Sequence, residues 1–131
     1  MSSSRTSSPL TLRIAATAFG TLGVAFGVNA ILRPAHALTF FEMMPPTSAT
    51  DRRVVDALMA VYGVRDIFMG VATYAAAYYG HRKALGWIVL ATGGVAFADG
   101  LICKLNGQGK WNHWSYAPIV AAFGCLLLAG Y

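Results

Sequence analysis

Apolar residues along this chain fall into four long runs, at roughly 12–32, 54–78, 85–103 and 114–131. Short stretches rich in Pro, Gly, Ser and basic residues separate them. A membrane-spanning helix needs about 20 mostly apolar residues, with a range of about 17–25. Each run reaches that length, the last only just. None alternates with the strict period of two of a lipid-facing barrel strand, and all are rich in Ala, Leu and Gly. In a bilayer every backbone polar group must be satisfied within the protein, so the runs predict helices. The pattern predicts an all-α fold, a four-helix transmembrane bundle over residues 12–131. A polar, mobile tail over residues 1–11 precedes it.

Punctuation between the runs agrees. Arg33-Pro34 ends the first helix, because proline cannot continue the hydrogen-bond ladder. Pro45-Pro46-Thr47-Ser48 interrupts the first loop, and Thr50 or Asp51 can cap the second helix. Gly80-His81-Arg82-Lys83 reads as a tight turn, and Asn106-Gly107-Gln108-Gly109 opens the last loop.

Composition closes the alternatives. The 131 residues are 56% hydrophobic and 11% charged, against about 25% charged in an average soluble domain. Disorder is excluded by the apolar content, and a disulfide scaffold by the presence of only Cys103 and Cys125. What remains is an integral membrane protein whose first partner is the lipid bilayer. Arg5 and Arg13 ahead of the first run, with Ala35-His36-Ala37 behind it, have the outline of a cleaved signal. The run is longer than the roughly 7–15 apolar residues of such signals, so a retained helix is expected. Arg5, Arg13, Arg82 and Lys83 fall on one side of a four-span layout. Arg33, Arg52, Arg53, Lys104 and Lys110 fall on the other, so basic residues do not orient the chain. They read as interfacial anchors, and no nucleic-acid partner is needed to explain the net charge of +5.

Small residues predict where helices approach. Gly20, Gly23 and Gly27 share one face of the first helix, suited to close packing or, as a lesser alternative, to pairing with a second copy in a homo-oligomer. Asp56, Met59, Gly63, Asp66, Gly70, Thr73 and Ala77 form a similar stripe on the second, and it contains carboxylates.

Those carboxylates direct attention to chemistry. Arg65 and Asp66 fall mid-span, where each charge costs about 2.5–3.5 kcal/mol on insertion scales. Asp99 lies late in the third run, on the antiparallel neighbour. Side chains lean toward a helix N-terminus, so Arg65 leans toward the level of Asp99, with Tyr62 in reach of the pair. Asn29, His36 and Asp56 lie toward the same half of the membrane, as does the cluster Trp111-Asn112-His113-Trp114. A polar pocket opening toward the first and third loops would explain this asymmetry. In it Asn29, His36, Asp56, Trp111 and Trp114 would contact substrate.

Two readings of Arg65, Asp66 and Asp99 stand side by side. A buried charge must be paired, and an ion pair can fix helix register. Alternatively the group is an acid–base site for a lipophilic small molecule. A desolvated carboxylate can hold a proton near neutral pH while one beside an arginine stays ionised, which divides acid and base roles. Epoxide opening or hydrolysis, cyclisation and isomerisation suit such a site. Arg65 would orient, Asp66 and Asp99 would share the proton work, and Tyr62 or His113 would assist. His113 and His36 also read as interfacial anchors, and Trp87, Trp111, Trp114 and Tyr116 fit an aromatic belt. A non-catalytic scaffold, lipid-binding protein or accessory subunit is the alternative. A cofactor-independent oxygenase with a pocket dominated by His113 and Trp residues is a third. No spacing suggests a metal site or a nucleotide-binding loop, so no cofactor or metal is expected.

Tyr62-Gly63-Val64-Arg65-Asp66 followed by Gly70 resembles the Y-G-x-R-D-x-x-x-G signature of small four-helix membrane proteins grouped as domain of unknown function 4267. Asp99-Gly100 and Arg33-Pro34-x-x-Ala37 are similar to the same pattern, and the resemblance covers roughly residues 15–128. It implies the fold and a membrane location and singles out Arg65, Asp66 and Asp99, without supplying a reaction. Comparable small four-helix proteins serve fungal natural-product pathways as oxygenases or cyclases, an analogy that makes natural-product biosynthesis an expected setting.

Overall fold

The computed structural model describes residues 9–131, and among these it is all-α, with no strand. The tail expected over residues 1–11 lies outside the described residues as far as residue 8; beyond that, Leu10 and Thr11 already belong to a helix. Helix α1 is Leu10–Leu32. Its ladder ends at Arg33 because Pro34 has no N–H to donate, and the proline instead starts a short helix α2, Pro34–Leu38. A 3-10 turn at Thr39–Phe41 follows and ends at Glu42 in a left-handed conformation, φ 56°.

Helix α3, Ala49–Tyr78, begins five residues before the apolar run that predicted it. Its cap is Ser48, whose hydroxyl accepts from the Asp51 N–H at 3.4 Å, rather than Thr50 or Asp51. Helix α4, Arg82–Leu105, is capped by His81, whose Nδ1 accepts from the Ala84 N–H at 3.3 Å. The fourth apolar run is not helical from end to end. Its helix is α6, Ala117–Ala129, with Pro118 in the first turn, and a separate short helix α5, Trp111–Trp114, ends at the start of the run before Ser115 and Tyr116. Gly130, at φ 110°, supplies the left-handed residue that closes α6.

The long helices run up, down, up and down as two tight antiparallel pairs. Helix α1 packs on α3 and α4 on α6, with α3 and α4 meeting between them. Glycine sets the first pairing. A Cβ on Gly63 would lie 2.5 Å from the Gly27 carbonyl oxygen, and one on Gly70 would lie 2.5 Å from that of Gly20. Gly23 faces the Asp66 carbonyl in the same way. The glycine face of α1 is thus packed against α3 of the same chain, the close helix approach that was the leading reading of these glycines. Along α3 the residues Met59, Gly63, Asp66, Gly70, Thr73 and Ala77 are buried, and only Asp56, at the start of the stripe, stays half-exposed. The α4–α6 pair uses the same device: a Cβ on Gly124 would lie 2.6 Å from the Leu90 nitrogen.

Two apolar clusters occupy the ends of the bundle. Ala16, Ala76, Leu85, Val89, Val120 and Leu127 form one, closed by Phe19 edge-on to Phe123 at 5.5 Å. Ala30, Ala37, Leu38 and Met59 form the other, with Phe41 and Tyr62 against them. The level between the clusters holds the charges. Helices α1 and α4 are each long and apolar enough to cross a membrane, with mean hydropathy 1.6 and 1.7. At 13 residues α6 is about 20 Å long, short of the roughly 30 Å hydrocarbon thickness.

Candidate functional site

Arg65 and Asp66 sit mid-way along α3 because the flanking glycines Gly63 and Gly70 clamp α1 against this stretch. From α4, Asp99 faces them. The Arg65 guanidinium makes a forked pair with Asp99, Nη1 donating to Oδ1 at 3.1 Å and Nη2 to Oδ2 at 2.8 Å. The same side chain donates to Asp66 Oδ1 twice, from Nε at 3.2 Å and Nη2 at 3.1 Å. Its charged carbon stands 4.3 Å from the centre of the Tyr62 ring. Four N–H bonds and an aromatic face thus satisfy one arginine inside an apolar bundle.

The two carboxylates are not equivalent. Asp99 uses both oxygens on Arg65, whereas Asp66 uses only Oδ1. Asp66 Oδ2 receives no bond from Arg65; the Tyr62 hydroxyl, one turn earlier, lies within hydrogen-bonding reach of the Asp66 carboxylate. Asp66 is also the more deeply placed, with 8% of its side chain exposed against 11% for Asp99 and 37% for Arg65.

Arg65 keeps that exposure because a cavity of about 290 Å³ lies against the triad. Tyr62, Arg65, Asp66 and Asp99 form its polar wall. The remainder is mainly apolar, including Phe19 and Phe26 from α1, Met69 from α3, Val89 and Val95 from α4, and Val120 from α6. Thr73 and Thr92 also line it, but their hydroxyls donate to the carbonyls of Met69 and Ile88 in their own helices. Asn112, from the cluster Trp111-Asn112-His113-Trp114, also lines the cavity, as does Tyr116, which the sequence placed in an aromatic belt rather than at the site.

The opening differs from the pocket expected toward the first and third loops. On that side Phe41 packs edge-on against Tyr62, at 5.1 Å, and at a tilt against His113, at 4.9 Å, which puts aromatic rings between the triad and the loops. The gap lies instead between α1 and the start of α6. Above the Phe19–Phe123 contact α6 is too short to accompany α1, leaving Leu22 and Phe26 of α1 and Tyr116 exposed at the cavity edge.

Of the residues expected to contact substrate, Asn29, His36, Asp56, Trp111 and Trp114 do not line this cavity. Asn29 Oδ1 and His36 Nδ1 bond each other at 3.0 Å on the outer side of α1. Trp111 is exposed beneath the Lys110 ammonium. Trp114 lies across bare Gly100 backbone and donates from Nε1 to the Phe97 carbonyl at 3.0 Å, so it braces α5 on α4. His113 is 3% exposed and sits between Phe41 and Tyr116 rather than in the cavity. Burial pushes its imidazole pKa below the ordinary value, with Asp99 opposing and Arg65 reinforcing the shift. Among the described residues no three His, Cys, Asp or Glu side chains gather as a metal site.

No curated protein and no solved structure matches the chain. Residues 20–127 match the family described as Domain of unknown function (DUF4267), a stretch that includes the glycine clamp, the Arg65–Asp66–Asp99 triad and every wall of the cavity except Phe19. With most of its length inside that match, the chain belongs to the DUF4267 family.

Proposed function

We propose that the protein is a small multi-pass membrane enzyme that performs acid–base chemistry on a lipophilic metabolite. The observation that carries this reading is the cavity beside a carboxylate with one oxygen left free of Arg65. A purely structural ion pair is best served by sealed helices, since any space beside it loses packing contacts. Epoxide opening, cyclisation or isomerisation fits the arrangement. Asp66 carries the proton on Oδ2 and delivers it to substrate oxygen. Asp99, held by both oxygens, remains the fixed counter-charge, and Arg65 holds the two apart while its bonds to Oδ1 orient Asp66. Tyr62 stacks under the guanidinium and keeps it in register.

The membrane setting draws support from more than the two apolar helices. One side of α3 exposes Val54, Leu58, Val61, Val64, Phe68 and Val71, each more than half accessible. Such a stripe on a monomer belongs in lipid or against another protein. The gap beside α1 would then face the acyl chains, so a substrate reaches the triad from within the bilayer. The oxygenase reading loses its footing, because neither His113 nor a tryptophan is on the cavity wall.

Metabolite profiling tests the proposal. A strain lacking the protein is complemented with the wild-type chain, Asp66→Asn or Asp99→Asn. The wild type is expected to restore a product that neither variant restores, although both accumulate in the membrane. Restoration by Asp66→Asn would transfer the site to the non-catalytic alternative, a lipid-binding or accessory module.

A further inference from the structure

We infer that the cavity is built to hold positive charge that develops on its substrate, and that it therefore takes a neutral lipophile whose reaction passes through a cation. This deepens the proposed acid–base function and rests on it.

Charge counting is the starting point. One guanidinium faces two carboxylates, so the fully ionised triad leaves one negative charge without a partner in an apolar bundle. A proton on Asp66 Oδ2 removes that charge and gives a neutral resting site. Four of the five Arg65 N–H groups already go to Asp66 and Asp99, so a single Nη1–H is left and no forked pair with an incoming anion can form. The cavity thus offers a carboxylate or phosphate no net positive charge, and its one spare N–H is a weak substitute for a counter-ion. The rest of the wall points the same way. Phe19, Phe26 and Tyr116 also line the space, while Tyr62 is taken up by the Arg65 guanidinium, and aromatic faces attract cations through their quadrupoles.

An epoxide isomerisation shows how the charges close. Asp66 Oδ2–H gives its proton to the epoxide oxygen, and the C–O bond breaks with its electron pair going to that oxygen. A hydroxyl forms and the carbon becomes positive, while the triad passes from neutral to singly negative. The Asp66 carboxylate then removes a proton from the adjacent carbon, whose C–H electron pair becomes the new double bond. Asp66 is again protonated, the product is an allylic alcohol isomeric with the substrate, and no oxidant or co-substrate is consumed. At the charged stage the cation stands against the freed carboxylate and the aromatic walls, so the site is more complementary to that stage than to the neutral substrate.

Three amphiphiles of equal chain length test this on the full chain in phosphatidylcholine nanodiscs, titrated calorimetrically against empty nanodiscs. Dodecyltrimethylammonium mimics the cation, dodecanol the neutral substrate, and laurate an anion. The ammonium is expected to bind at least about tenfold more tightly than dodecanol, releasing a proton to the buffer, and laurate is expected not to bind saturably. Asp66→Asn is expected to abolish the preference while dodecanol affinity stays within about twofold, which also reports an intact cavity. Phe26→Leu leaves the triad untouched and is expected to cost the ammonium about threefold. Equal binding of ammonium and alcohol, saturable laurate binding, or no binding of any of the three overturns the inference. Ammonium preference without proton release leaves the charge selectivity standing and removes Asp66 as the acid, so the two proposals fail separately.

Discussion

At the scale of single residues, the difference between Asp66 and Asp99 is a difference in how many oxygens Arg65 holds. It predicts unequal consequences for the same substitution. In Asp66→Asn the amide oxygen can accept the two Arg65 N–H groups, and the triad stays neutral, so stability should stay within about 1 kcal/mol of wild type. Asp99→Asn removes one acceptor oxygen and the counter-charge of the forked pair, and should cost about 1.5–3 kcal/mol. Thermal melting of the two variants in detergent checks the ordering, and equal losses would contradict it. His113 supplies a second prediction. Buried without a partner for Nδ1 among the described residues, it stays neutral in the fold, while the unfolded chain takes up a proton near pH ~6.5. Its folded pKa is depressed, so its contribution is complete above that pH and is lost as the pH falls below it. The melting temperature should drop on acidification from about pH 7.5 to 5.5, and His113→Phe should flatten that drop. Pairing of Arg65 with Asp99 was legible in the sequence, because helix lean and antiparallel depth are properties of regular helices. The single oxygen left free of Arg65 was not, since it depends on where one guanidinium settles between two helices.

At the scale of elements, glycine explains both the tight pairs and the family signature. Gly63 and Gly70 bracket Arg65-Asp66 because α1 must approach α3 on both sides of the charges, and Gly100 follows Asp99 because Trp114 lies on its backbone. A methyl group at Gly63 meets the Gly27 carbonyl, so Gly63→Ala should destabilise by about 1–3 kcal/mol. Gly94 has nothing within 4 Å of such a methyl, and Gly94→Ala should stabilise by about 0.5–1 kcal/mol through helix propensity. Urea or thermal unfolding of the pair in detergent measures both signs. Helices α1, α3 and α4 could be read from apolar runs. The fourth run misled because hydropathy sums side chains without regard to the backbone. Pro118 starts a new helix there, and α5 turns aside before it.

For the whole molecule, the pairing of helices decides both topology and access. Arg13 donates to the Ala77 carbonyl at 2.9 Å, and the Arg82 guanidinium lies near Gly130. The start of α1, the α3–α4 turn and the end of α6 therefore share one end of the bundle. If the proposed membrane setting holds, tags fused to the two termini should be protected together or digested together when sealed vesicles are treated with protease. Protection of only one would show that α6 does not follow α4 back across the bilayer. The sequence by itself determined helices α1, α3 and α4, the stripe that α3 buries and the grouping of Arg65, Asp66 and Asp99 between α3 and α4. These follow from local periodicity and from the cost of leaving an ion unpaired in an apolar medium. Only the tertiary structure decided that α3 rather than a second copy covers the α1 glycines, that Phe41 and His113 shut the loop side, and that a cavity remains where α6 falls short of α1. Space between helices is set by which faces meet and by differences in helix length, and no single segment of the chain encodes either.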